Sequence, residues 1–471
     1  MFRNVPYAAP PFGVRRFLPP VPPEKWDGVR DGRVAGAAAP QPINADTLAE
    51  KYFNPPAYGE DCLTLEVWTP DVQASLPVMV WIHGGAYLFG VGSAPAHSGR
   101  TFARDGIVHV AINYRLGPDG FLPLESGAEN LGLRDQVAAL EWVQRNIAAF
   151  GGDPDNVTIF GQSGGAVSVM NLMAMPAARG LFKRAIAQSG SPLGAVPLAD
   201  GETMTKRFAK LAGVAPTRDA LAAIPLDRLT ELAFIFGLNF VKNPIRNGAS
   251  SFMLSPFRAL SGTPSLPDAP LVAAAKDAGV PLLTGTTRNE SYDFVRLVDN
   301  GGVGSRIFAA VGRRFMGGTG RIARAYRKGP RAVSAGVPLL EAVWTDWAFR
   351  IPTIRLAEVR RAPTWLYEFR WESPNLPVGL GSPHTIEIPF VRDDLVTPFE
   401  SGEWGNTQLG SNPPEALAHE MHAAWVRFAK AGDPGWARYE TSDRQTMIFD
   451  TQSRVAPDAA AVERRAWAGR R

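Results

Sequence analysis

Apolar and polar positions along this chain fall into two periods. Leu63-Thr64-Leu65-Glu66-Val67-Trp68 alternates residue by residue, as a strand with one covered face does, and Thr69-Pro70 closes it. Val78-Met79-Val80-Trp81-Ile82 is continuously apolar, as expected of a strand covered on both faces. Residues 107–112 and Asn156-Val157-Thr158-Ile159-Phe160 read as further buried strands. Between these two, Leu133, Val137, Leu140, Val143 and Ile147 step by 4, 3, 3 and 4, which is one face of a 3.6-residue period. Gly151-Gly152-Asp153-Pro154 is expected to stop that helix. Ala185-Ile186-Ala187, Val280-Pro281-Leu282-Leu283 and residues 365–369 extend the strand count, and 414–430 reads as a late helix. Strand, helix, strand at this spacing predicts an α/β fold with a mostly parallel central sheet flanked by helices.

The remaining pattern modifies this picture in two places. Residues 6–42 are rich in proline but punctuated by Phe17, Leu18 and Trp26, so they read as an ordered irregular arm. Segments 200–275 and 301–350 are helical but irregular, and are expected to be cap insertions over a site. Large α/β folds can run to this length as one domain, so the expectation is a single catalytic domain over residues 1–471.

Composition narrows the function. A 45% hydrophobic content in 471 residues allows a large core. The net charge of +4 comes from 49 basic and 45 acidic residues that are interspersed, which argues against a nucleic-acid partner. No apolar run reaches membrane-span length, and Met1-Phe2-Arg3-Asn4-Val5-Pro6 lacks the apolar region of a signal peptide. Cys62 is the only cysteine, so no intramolecular disulfide can form. These readings favour a cytoplasmic monomer.

The chemistry centres on Phe160-Gly161-Gln162-Ser163-Gly164-Gly165-Ala166, a G-x-S-x-G pattern between a predicted strand and a predicted helix. A serine on so sharp a turn stands above the sheet edge at the positive end of a helix, and a Cβ at Gly161 or Gly165 would collide across the turn. The hydroxyl needs a base to take its proton. The chain has six histidines. His83 lies in a glycine turn, His97 in a loop before the serine, and His109 inside a strand. His419 and His422 sit three apart on the late helix, which is not the H-E-x-x-H metal spacing. His384 remains, on a glycine- and proline-bounded loop beyond the strand near Trp365, where α/β enzymes hold catalytic groups. Glu290, which follows the strand near Leu283, fits the chain order of nucleophile, acid and base, while an ordinary surface carboxylate fits the same spacing. His83-Gly84-Gly85-Ala86 follows a buried strand, and its backbone N–H groups, with that of Gly164, can converge on an oxyanion. A phosphate loop would need a G-K-[ST] ending that is absent here. Tyr87, Gln162, Asp293 and Phe294, beside these groups, are candidates for the substrate pocket.

These residues resemble the type-B carboxylesterase/lipase family, which includes cholinesterases, mammalian carboxylesterases and bacterial para-nitrobenzyl esterases. The resemblance runs from about residue 5 to 465. It rests on Pro6-Tyr7-Ala8-Ala9-Pro10-Pro11 with Arg16-Phe17, on Glu60-Asp61-Cys62-Leu63, Trp81-Ile82-His83-Gly84-Gly85 and Asn113-Tyr114-Arg115. It continues through Asn130-Leu131-Gly132-Leu133-Arg134-Asp135-Gln136, Phe150-Gly151-Gly152-Asp153-Pro154, the serine turn, Gln188-Ser189-Gly190-Ser191, and His384 with Glu387-Ile388-Pro389-Phe390. It implies an α/β-hydrolase fold, a Ser163–Glu290–His384 triad, and an oxyanion hole from Gly85, Ala86 and Gly164. It implies a small-molecule ester substrate with no metal or organic cofactor, and structural ion pairs joining Arg16 to Glu60 and Arg115 to Asp153. The chain departs from the family at Gln162, where glutamate is usual, at Ala86, where a third glycine is frequent, and at Asp293, where cholinesterases hold a choline-binding aromatic. The cysteine that would pair with Cys62 is absent, and so is an initial hairpin at the sheet edge. The implied activity is carboxylic ester hydrolysis; carbamate or aryl-amide hydrolysis by the same triad, and a non-catalytic adhesion module, are the rivals.

Overall fold

The computed structural model describes residues 1–42, 57–124, 127–276, 279–299, 302–329, 331–396 and 408–470. The strands of its main sheet are β1 (Phe2–Pro6), β2 (Thr64–Trp68), β3 (Leu76–Ile82), β4 (Val108–Ile112), β5 (Gly152–Gln162), β6 (Arg184–Gln188), β7 (Leu282–Thr287), β8 (Thr364–Phe369), β9 (Gln445–Phe449) and β10 (Arg454–Pro457), and Val196–Pro197 pairs with Leu260–Ser261 in a separate two-stranded sheet. They form a ten-stranded sheet in the order β1-β2-β4-β3-β5-β6-β7-β8-β9-β10. From β4 through β9 all neighbours are parallel, while β1–β2, β2–β4 and β9–β10 pair antiparallel. This is the mostly parallel sheet that the alternation of strand and helix predicts, with antiparallel strands at both edges.

The apolar strands are covered on both faces. On one face Val80, Ile82 and Ile159 pack with Leu133, Leu140 and Val143 of α1 (Leu131–Asn146) and with Met170 and Leu172 of α2 (Gly164–Ala174). On the other, Met79, Trp81, Phe160 and Phe369 meet Met421, Trp425 and Phe428. These come from the late helix Glu415–Ala431. A separate cluster, with Phe252, Phe294, Trp344 and Trp347, fills the region contributed by segment 301–350 and its neighbours.

Several boundaries differ from the sequence pattern. The strand before the serine begins at Gly152, which pairs with Leu76, so Gly151-Gly152-Asp153-Pro154 opens β5 instead of only stopping the helix. α1 ends at Asn146 and a 3₁₀ turn, Ile147–Phe150, carries the chain onward. β1 covers β2 at the edge where an initial hairpin was expected to be missing, and Arg3 Nε meets Glu66 Oε1 at 2.7 Å across that pairing.

The two family-implied ion pairs are not formed. Arg16 Nε bonds Asp119 Oδ1 at 2.8 Å, and its NH1 reaches the carbonyl of Ile224 at 2.7 Å. Arg115 grips Asp135 through Nε (2.8 Å) and NH2 (2.7 Å). The reason is placement: Glu60 is exposed, and Asp153 lies at the start of β5 and accepts the Asp155 N–H. Asp119 and Asp135 instead project from helices into the buried space beneath the arm.

Cys62 is fully buried, and burial first, then nearby Asp135, pushes its thiol well up from the usual range. A thiol reagent should therefore leave the native protein unlabelled and react stoichiometrically after denaturation. Cys62→Ser should keep turnover but lose about 1–3 kcal/mol of stability, the cost of burying an unpaired hydroxyl. Rapid labelling of the native chain would contradict this placement.

Candidate active site

Four loops that leave the carboxyl ends of central strands build the site. β5 delivers Ser163, β3 the His83–Tyr87 turn, β7 Glu290, and β8 leads to His384. Ser163 has φ 57 and ψ −122, a conformation that costs a non-glycine residue on the order of 1–3 kcal/mol. It is held there from both sides, since its N–H donates to Gln188 O and its carbonyl accepts from Val167 N, each at 2.9 Å. The glycines around it are sterically required: a Cβ on Gly165 would stand 1.9 Å from Ile82 O, and one on Gly161 2.6 Å from the Gly165 carbonyl carbon.

His384 is buried, and its Nδ1 bonds Glu290 Oε2. Glu290 Oε1 accepts the Thr287 N–H at 2.8 Å, so the carboxylate is anchored to the strand it follows. Asn289 N donates to Ser382 O at 2.9 Å, which stitches the Glu290 loop to the His384 loop. The imidazole rests against the rings of Phe294 and Phe349, each with its centroid 5.1 Å away, and those two rings stack on each other at 6.3 Å. Its Nε2 is buried without a hydrogen-bond partner among the described residues and borders the cavity that Ser163 also lines.

The other histidines are placed otherwise. Burial lowers His83 to about 4, and its Nδ1 contacts Gly84 O at 2.9 Å. His109 is enclosed in β4, and burial, reinforced by Arg392, holds it well below the usual range. His97 lines the cavity wall and is lowered in the same way, burial acting first and Arg392 second. His422 is tied to Val391 O and Asp105.

The glycine turn carries positive φ at Gly85 (102°), Ala86 (54°) and Tyr87 (61°). Leu88 and Phe89 both donate to Gly85 O, closing the turn. The N–H groups of Gly85 and Ala86 donate to no backbone carbonyl among the described residues. That of Gly164 belongs to the first turn of α2, which has no intrahelical acceptor. A Cβ built on Gly164 would stand 3.1 Å from Ala86 N, so these two backbones face each other beside Ser163.

Two cavities meet at Ser163. One, of about 490 Å³, is walled by Leu88, Phe89, Leu254, Phe294, Leu297 and Ile388, with Gln162, Asp293, Arg296, Thr385 and Gln408 among its polar residues. The other, of about 60 Å³, lies against Ala86, Tyr87, Gly164, Phe252 and Phe349. Of the residues expected in the pocket, Gln162, Asp293 and Phe294 line the larger cavity. Gln162 also donates from Nε2 to His384 O at 2.9 Å. Tyr87 instead borders the smaller one, its ring stacked on Phe121 (4.1 Å) and its hydroxyl 3.1 Å from Ser168 Oγ.

Sequence reasoning passed over Phe349, Thr385, Arg296 and Gln408, which carry no motif. It also gave Glu387 no role. That carboxyl is fully buried behind the triad, 3.1 Å from Tyr367 OH, and burial, then the charge of Glu290, raises it to about 8.

A strained serine between a central parallel strand and a helix, with a histidine and carboxylate delivered by later strands, defines an α/β hydrolase. Comparison with known proteins bears this out. The Carboxylesterase family model matches residues 1–467. The para-nitrobenzyl esterase of Bacillus subtilis is 36% identical over 98% of this chain and 94% of its own length. The phenmedipham hydrolase of Pseudarthrobacter oxydans is 34% identical over 98% and 93%. A thermophilic para-nitrobenzyl esterase structure superimposes with a TM-score of 0.84 at 34% identity, covering 99% of this chain and 95% of that one. The chain belongs to the carboxylesterase family and is a carboxylic ester hydrolase.

Proposed function

We propose that Ser163, His384 and Glu290 act as nucleophile, general base and orienting acid in a two-step ester hydrolysis. Ser163 Oγ attacks the ester carbonyl while His384 Nε2 takes its proton. Glu290 keeps the proton on Nδ1 and stabilises the imidazolium that forms. The N–H groups of Gly85, Ala86 and Gly164 receive the oxyanion. Collapse of the tetrahedral intermediate breaks the ester C–O bond, and His384 returns the proton to the departing alcohol. Water, deprotonated by the same Nε2, then attacks the acyl-serine; the acyl–Oγ bond breaks, His384 returns the proton to Ser163 Oγ, and the acid is released.

The observation that carries this reading is the state of His384: its Nδ1 is held by a buried carboxylate, and its Nε2, unpartnered, borders the cavity that contains Ser163. Segments 200–275 and 301–350 act as caps in the proposal, because Val241, Leu254 and Phe349 bring their side chains to the two cavities. Cytoplasmic residence is proposed on the single buried thiol, which needs no oxidising compartment.

Likeness to a phenmedipham hydrolase keeps carbamates and aryl amides as the second reading. A matched aryl ester and anilide sharing one acyl group separate the two. The expected result is ester turnover far above anilide turnover, with stoichiometric labelling of Ser163 by a fluorophosphonate probe. Comparable anilide turnover would favour the second reading. A folded protein that the probe does not label would sink both and leave the non-catalytic module.

A further inference from the structure

The larger cavity holds a polar pair that neither the triad nor the oxyanion loop uses. Asp293 is partly buried, and its two carboxylate oxygens accept from Gln408 Nε2 at 3.1 and 3.3 Å. The carboxylate fixes the amide's orientation, since only the NH₂ end can face it, and Gln408 Oε1 is turned elsewhere. That oxygen is buried without a partner, as is Thr385 Oγ1 on the same cavity, in residues only 4% and 8% exposed.

What the cavity leaves unused is therefore acceptor capacity. A carboxylate offers about four lone-pair sites, of which a single amide nitrogen occupies only part. Burial pushes the Asp293 carboxyl up from its usual range, against the smaller opposing effects of Gln408, His384 and Arg296, so the charged form stands undersolvated. Arg296 does not relieve it by an ion pair. Its NH1 donates to Tyr292 OH at 2.6 Å, its guanidinium lies 5.4 Å from that ring's centroid, and its side chain is exposed.

We propose that Asp293 and Gln408 form a subsite for a protonated primary amine on the larger group of the ester. An ammonium brings three N–H donors and no acceptor, which complements an anionic carboxylate beside an orphan amide oxygen. Buried apolar residues of the same cavity, Phe294 and Ile388 among them, limit screening of that attraction. The inference rests on the esterase reading and places the amine on the alcohol, because a cavity of about 60 Å³ suits a small acyl group.

The test uses three acetate esters of one size: para-(aminomethyl)benzyl, para-ethylbenzyl and para-carboxybenzyl acetate. In the native protein kcat/KM should fall in that order. In Asp293→Asn the ratio of the ammonium ester to the ethyl ester should drop about tenfold or more, the scale for losing one desolvated charge partner. The ratio cancels any general loss of activity. Should Asp293→Asn fail to fold, Gln408→Leu decides the same ratio, which should fall in the same direction. An unchanged ratio in a folded variant overturns the proposal. So does preference for the carboxylate ester, which would assign the cavity's charge to Arg296. Hydrolysis of p-nitrophenyl acetate by the native protein reports the esterase reading separately: without it both fall, and with it an unchanged ratio removes the subsite alone.

Discussion

Replacing Ser163 by alanine is expected to lower kcat by about 10⁴-fold or more without loosening the fold. Ser163 Oγ makes no hydrogen bond among the described residues, so its removal leaves no buried partner unsatisfied. The alanine keeps the Cβ and so meets the same φ 57 strain that the serine already bears. Chemistry, by contrast, loses the atom proposed to become acylated. His384→Ala should be as damaging to kcat, because the proposed base and nucleophile would act as one unit, and the double variant should be little worse than either single one. The histidine variant differs in stability. It removes the ring that packs against Phe294 and Phe349 and leaves the buried Glu290 without its imidazole partner. Turnover of an aryl ester, normalised to folded protein by circular dichroism, checks all three. A tenth of the native kcat surviving in Ser163→Ala would mean that another group is the nucleophile.

The parts of this site that the sequence makes legible are those with a short-range physical signature. The serine turn is legible because two glycines and the strand before them are required by one steric fact, the approach of Gly165 to the Ile82 carbonyl. His384 is legible by elimination, since a strand for His109, a glycine turn for His83, a loop before the serine for His97 and the late helix for His419 and His422 remove the others from contention; His422 is buried on that helix, tied to Val391 O and Asp105. The cavity is not legible. Thr385 follows the base, Gln408 lies far along the chain, and Asp293 joins them only because the loop after β7 and the segment before the late helix approach in three dimensions. Ion pairs fail for the same reason. Arg16 and Arg115 were matched to carboxylates by motif, whereas the fold pairs them with whichever carboxylates enter the same buried space, Asp119 and Asp135. The hairpin β9–β10 escapes notice because β10 is a short, mostly exposed edge strand with no apolar run to mark it.

The largest stability change away from the chemistry is expected at Asp135. The Arg115 side chain is 1% exposed and that of Asp135 0%, so neither charge has water to fall back on. Asp135 answers Arg115 three times: Oδ2 accepts from Nε at 2.8 Å and from the Arg115 backbone N–H at 3.0 Å, and Oδ1 accepts from NH2 at 2.7 Å. The remaining nitrogen, NH1, donates to Leu18 O at 2.7 Å, so the pair also ties the proline-rich arm to α1 and to the end of β4. Asp135→Asn keeps the shape but removes the countercharge. Asp119, whose charge also acts on Arg115, is already committed to Arg16 at 2.8 Å. An unpaired buried guanidinium costs about 3–5 kcal/mol, a large share of the roughly 5–15 kcal/mol that holds a domain together. The variant should unfold at a markedly lower urea concentration, while the fraction still folded keeps its kcat, because no atom of this pair touches the cavity at Ser163. Arg115→Met combined with Asp135→Leu removes both charges at once and should recover most of the loss, as a double-mutant cycle would register. A midpoint for Asp135→Asn within about 0.5 kcal/mol of the native protein would show that Asp119 alone balances Arg115, and that the two acids share the two arginines as one network.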